Sequence, residues 1–110
     1  MGDMDIRDRL RLDVPILQAG MGGGVAGPEL ASAVAGAGAL GTLGLAAPRR
    51  ITAAVDQVRS VAPGRAAAIN LLMPFVRRRH VRACVENQVD VAVLFYGGDP
   101  QIVGTLHGAG

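Results

Sequence analysis

The sequence predicts an α/β fold made of four consecutive βα units, the first half of a (β/α)8 TIM barrel. Three observations carry this. Strand-like runs begin near Val14, Ala39, Ala66 and Val91, a spacing of about 25 residues, close to the length of one strand plus its crossover helix. Helical patterns lie between them. The strands are almost continuously apolar, as in Val91 to Phe95 (VAVLF), the pattern of parallel strands buried on both faces and joined by right-handed crossovers.

The first unit is the most informative. Pro15 to Ala19 is a short apolar strand that runs into Gly20-Met21-Gly22-Gly23-Gly24. Backbone without side chains at the C-terminal end of a strand lets a flat or anionic ligand approach closely. Pro28 opens a helix at its first position, where the missing N–H is no loss. Leu30, Val34 and several alanines give that helix an apolar face, and Gly36 and Gly38 end it. Ala39 to Leu45 forms the next strand. In the second helix Ile51, Val55 and Val58 recur at i, i+4 and i+7. In the third, Val81, Cys84, Val85 and Gln88 form the matching stripe, with Arg82 and Glu86 paired at i, i+4. The fourth opens with Asp99-Pro100, an N-cap followed by proline, and carries Ile102, Val103 and Leu106 before Gly108 and Gly110.

Composition narrows the function classes. Half the residues are hydrophobic and only 3% are aromatic, so the core is aliphatic. No apolar run approaches the roughly 20 residues that span a bilayer, and the charged start MGDMDIRDRLRLD has no signal-peptide core, so no membrane role and a cytoplasmic location are expected. The single cysteine, Cys84, sits on an apolar helix face and reads as a small buried hydrophobe. The net charge is +2, and the 11 basic residues are all arginine. Arg77-Arg78-Arg79-His80 is the densest cluster. It lacks the aromatic platforms of a nucleic-acid surface and reads as a solvated helix start. No nucleic-acid partner is expected.

Several segments together resemble the nitronate monooxygenase (2-nitropropane dioxygenase) family. These are PILQAGMGGGVAGPEL followed by ASAVAGAGALGTLG, then INLLMPF from Ile69 to Phe75, and VAVLFYGGDP from Val91 to Pro100. Jointly they cover nearly the whole chain. Gly20 stands where many relatives carry proline. The resemblance implies an FMN-dependent barrel, close to the flavin-dependent enoyl-ACP reductases. It implies an oxidoreductase acting on a small-molecule substrate, an alkyl nitronate, with O2: FMN takes electrons from the substrate and passes them to oxygen, and a histidine acts as base on nitroalkanes. In the family that histidine lies in a downstream G-G-H segment and the flavin phosphate on loops of the last strands; neither is in this chain. His80 and His107 do not match the G-G-H context and read as surface histidines, so no residue here is assigned a catalytic role.

In such barrels the site forms at the C-terminal ends of the strands. That places Ala19 to Gly22, Leu43 to Ala46, Asn70 to Met73 and Tyr96 to Gly98 around one mouth. Ala19, Gly20, Met21, Gly22 and Asn70 are the candidate FMN-binding residues. The backbone of the first turn can hydrogen-bond the polar edge of an isoalloxazine ring, and Met21 can pack on its face or simply fill core. Asn70 breaks the apolar strand AAAINLLM and offers one acceptor and two donors; the competing reading is a structural asparagine. Gln18 reads as structural, with its side chain in need of a partner. No metal site is expected.

A rival reading is an NADP-binding Rossmann domain. Gly22 to Gly27 is formally G-x-G-x-x-G, and Arg49-Arg50 would suit a 2′-phosphate. No acidic residue occurs between Glu29 and Asp56, while Pro28 and Glu29 disfavour a pyrophosphate at the helix start. A reductase fragment and a non-catalytic remnant are further alternatives. A complete barrel takes about 250 residues. Residues 1–110 are therefore expected to form a single partial domain that neither holds FMN tightly nor oxidises nitronates alone, and that self-associates through exposed sheet edges or pairs with a complementary half.

Overall fold

The computed structural model describes residues 5–110. The helices are α1 (Ile6–Arg9), α2 (Pro28–Gly36), α3 (Pro48–Val61), α4 (Arg78–Glu86) and α5 (Pro100–Gly108). The strands are β1 (Gly41–Leu43), β2 (Ala67–Leu72) and β3 (Val91–Phe95). They pair in parallel in the order β1-β2-β3, with Thr42 opposite Ala68 and Asn70 opposite Val93. The segment before α2 extends the sheet: Leu17 bridges Leu40 in parallel. The spatial order therefore follows the chain order. A Rossmann sheet reverses direction at a switch point, and none is present here, so the order is that of a barrel wall.

The helices cover one face of this sheet. Ile69 and Leu71 of β2 pack with Leu43 against Ile51, Val55 and Val58 of α3, the i, i+4, i+7 stripe, all but sealed from solvent. Cys84 of α4 joins the same core, and burial pushes its thiol pKa up to about 11. The other face is closed only at its N-terminal end. There α1 and the residues after it deliver Leu10 and Leu12 onto Leu40, Ala66, Ala68 and Val91. Salt bridges and hydrogen bonds fix this plug: Arg65 forks onto both carboxylate oxygens of Asp13 at 2.8 and 2.6 Å, and Asp90 receives Arg11 and Arg59 while accepting the Ala67 N–H. The charged N-terminal sequence hides this role, since only two leucines in it face inward.

Three local details differ from the sequence pattern. The buried face of α2 is Ala31, Ser32 and Ala35, not Leu30 and Val34. The helix lies so close to β1 that a Cβ at Gly41 would overlap the Ala31 carbonyl, and only small residues fit between. The third helix ends at Glu86, so Gln88 falls outside it in a left-handed conformation (φ 50°), and no Arg82–Glu86 ion pair forms among the described residues.

The third difference is His80, which is buried rather than on the surface. It occupies the third position of α4, where its Nδ1 accepts the Arg77 N–H at 2.8 Å and so serves as the N3 half of a capping box. Burial lowers its pKa below 6.5; a backbone hydrogen bond with Ala46 acts in the opposite direction, and the nearby Arg77 adds to the lowering. His107, by contrast, is exposed at the end of α5.

Two outcomes follow from this packing. Gly41→Ala should destabilise the fold by about 1–3 kcal/mol in urea unfolding, because α2 must move off β1. The neutral form of His80 is favoured by folding, so its contribution is complete above pH 6.5 and is lost as the pH falls through that value toward the lower folded-state pKa. His80→Gln should flatten the stability profile across that interval, as read by thermal melts at successive pH values.

Candidate functional site

The first turn is laid over the C-terminal ends of β1 and β2. The incoming segment runs beside β1 as far as Gln18, whose N–H donates to Leu40 at 3.0 Å. It is then anchored from three sides. A Cβ at Gly20 would overlap the Cβ of Asn70 and come within 3.2 Å of the Thr42 methyl group, so glycine is required there by close approach. Gly44 passes directly under the Met21 carbonyl, which also accepts the Ala26 N–H at 3.2 Å. Gly44 in turn donates to the Ala26 carbonyl at 2.8 Å. The expected strand from Pro15 to Ala19 is thus shorter than its apolar run. Pro15 has no N–H to give, and past Gln18 the backbone leaves the sheet.

Asn70 sits beneath this turn on the inner face of β2, 6% exposed. Its carboxamide makes no hydrogen bond to any described residue. The group faces an open trough that follows the inner face and turns round the free edge of β3. Ala19, Gly20 and Asn70 line the trough together with Gln18 and Thr42; Met21 and Gly22 do not line it and stand exposed on the outer side of the turn. Gly22 has no neighbour within 4 Å of where a Cβ would be.

The rim beyond β3 adds a feature. Tyr96 is 70% exposed and held in the left-handed region (φ 61°), followed by Gly97 at φ 112°. A tyrosine there is uncommon and marks a turn held by its surroundings. Its ring lies 4.3 Å from that of Phe95, tilted by 54°. Phe95, Val93 and Leu17 leave large apolar surfaces exposed along the trough. At the start of α2 the glycine run does precede a helix, but Pro28 lacks a donor and Glu29 carries its charge in the first turn. Among the described residues no cluster of side chains could hold a metal ion, and no helix is long and apolar enough to cross a membrane.

Parallel strands laid side by side in chain order define part of a barrel wall. The particular family is found by comparison: the nitronate monooxygenase family matches residues 6–97, and the chain belongs to it. Enzymes of this family are FMN-dependent. Among solved structures the chain is similar to a FabK mutant from Thermotoga maritima, with 27% identity and a TM-score of 0.82 over 96% of this chain and 36% of that one. It is also similar in fold to nitroalkane oxidase from Streptomyces ansochromogenes, with 22% identity and a TM-score of 0.80 over 94% and 40% of the two chains. No curated protein matches. The chain spans little more than a third of the length of these structures.

Proposed function

We propose that this chain supplies the first-turn half of the flavin cradle in an FMN-dependent oxidoreductase of nitronate monooxygenase type, whose substrate is an alkyl nitronate and whose oxidant is O2. The observation that carries the reading is Asn70, a buried residue whose carboxamide has no hydrogen-bond partner among the described residues and opens into the trough beneath a glycine turn. A flavin ring presents alternating donors and acceptors along one edge, and Asn70 has both to offer. The peptide groups of Ala19 and Gly20 face the same trough. Met21 and Gly22 belong to the turn and fix its shape rather than its lining.

When bound, FMN would supply two-electron oxidation of the substrate, with O2 as the final acceptor. The residues of this chain bind and orient. Val93 and Phe95 present an apolar wall along the trough against which a flat ring can pack. His80 is engaged in capping α4, and His107 lies in the last turn of α5. Similarity to FabK supports a second reading, reduction of an enoyl thioester at the same cradle. Oxygen uptake on addition of an alkyl nitronate, against flavin-dependent reduction of an enoyl thioester, separates the two.

In a complete FMN-binding barrel, Asn70→Ala should weaken FMN binding by about 1–3 kcal/mol in calorimetry, while the melting temperature of the flavin-free protein changes much less. Lost stability with unchanged FMN affinity would make Asn70 structural. A colourless protein that binds NADP and not FMN would overturn the flavin reading altogether.

Residues 1–110 alone leave the Leu17 and β3 edges and the inner wall uncovered. Size-exclusion chromatography should show species larger than 11.3 kDa without a flavin absorption band. A yellow, active monomer would show that these units close a site by themselves.

A further inference from the structure

The side chain of Gln18 does what a main chain ordinarily does. Along the edge of β1 the ladder runs from the Leu40 N–H to Ile16 at 3.0 Å and from the Gln18 N–H to Leu40 at 3.0 Å. The next ladder position is Thr42. There the Thr42 N–H donates to Gln18 Oε1 at 3.0 Å, and Gln18 Nε2 donates to the Thr42 carbonyl at 3.0 Å. The same Nε2 also donates to the Ala19 carbonyl. Thr42 is 2% exposed, so both its backbone groups need partners, and the carboxamide provides them. The main chain of Ala19 and Gly20 is thereby released from the sheet and bends inward, where Gly20 meets Asn70 and the Thr42 methyl group.

We infer that Gln18 is a positioning residue for the flavin-facing turn: its carboxamide occupies the ladder and holds the Ala19 carbonyl, so that the N–H groups of Ala19 and Gly20 are free for a ligand and Gly20 seats on Asn70. This rests on the FMN reading above. Glutamine suits the task because it combines an acceptor and a donor at the reach of one further residue. Asparagine is a methylene shorter, and glutamate has no donor and sets a carboxylate against the Thr42 carbonyl.

Two substitutions in the FMN-binding protein test this, Gln18→Met and Gln18→Glu. Amide hydrogen exchange of the flavin-free protein reads the turn directly. In Gln18→Met the Thr42 amide should exchange about tenfold or more faster, while amides in α3 and the centre of β2 are unchanged; FMN affinity should fall about tenfold, the loss expected for about one hydrogen-bond equivalent. Combining it with Asn70→Ala should give less than the sum of the two losses, because both act on one contact. Gln18→Glu should bind FMN poorly at neutral pH and recover, relative to the parent, as the pH approaches the ordinary glutamate value of about 4.3, where a protonated carboxyl can again donate to Thr42. Unchanged exchange at Thr42 would overturn the inference. So would full FMN affinity despite faster exchange. If the parent protein took up no FMN, the flavin reading would fall, and the exchange rates alone would still decide whether Gln18 holds the turn.

Discussion

Helices α2, α3 and α4 lie on one side of the sheet, and the burial of that side governs everything else. Ile69 and Leu71 point into a layer closed by Ile51, Val55, Val58, Ala31 and Ala35, all nearly inaccessible. Most of the apolar area removed from water lies there, at roughly 25 cal/mol per Å2. With the outer face secured, the inner face need not be uniformly apolar. Leu10 and Leu12 close its lower end, and its upper end can carry an asparagine, a threonine and a bare turn. Polar groups are tolerated where the fold does not depend on them, and those are the places where a ligand can use them.

Much of this was legible in the sequence. The Ile51, Val55, Val58 stripe, proline at the first helical position in Pro28, and the Asp99 cap all act locally, and each appears where its pattern places it; Asp99 accepts the Gln101 N–H at 2.8 Å. Asn70 was visible because a lone carboxamide in an apolar strand violates the pattern around it. What was hidden depends on distances between elements far apart in sequence. The closeness of α2 to β1, which leaves Leu30 and Val34 only half-buried, is set by the absent side chain of Gly41. The burial of His80 depends on where α4 starts: three preceding arginines suggest a surface, yet one residue of helical register carries the ring inward.

The first segment shows the same limit from another side. Its apolar run extends to Ala19, but apolarity does not say which group fills a ladder position. A glutamine within such a run reads as an odd polar residue. Only its two contacts with Thr42, 24 residues away, show that it ends the strand by completing it. The glycine run beyond fits a dinucleotide fingerprint by spelling alone. Sheet order decides against that reading, because strands laid down in sequence offer no crevice of the Rossmann kind.

Cys84 gives the fold a built-in clock. Its sulfur is packed between α4 and the outer layer, and a thiol pKa near 11 leaves almost no thiolate at neutral pH. Alkylating reagents therefore react slowly with the closed state and faster when the packing around α4 loosens. The chain contains no other cysteine, so the rate at which a single label is acquired measures how often that outer layer opens, with no engineered probe and no correction for competing sites.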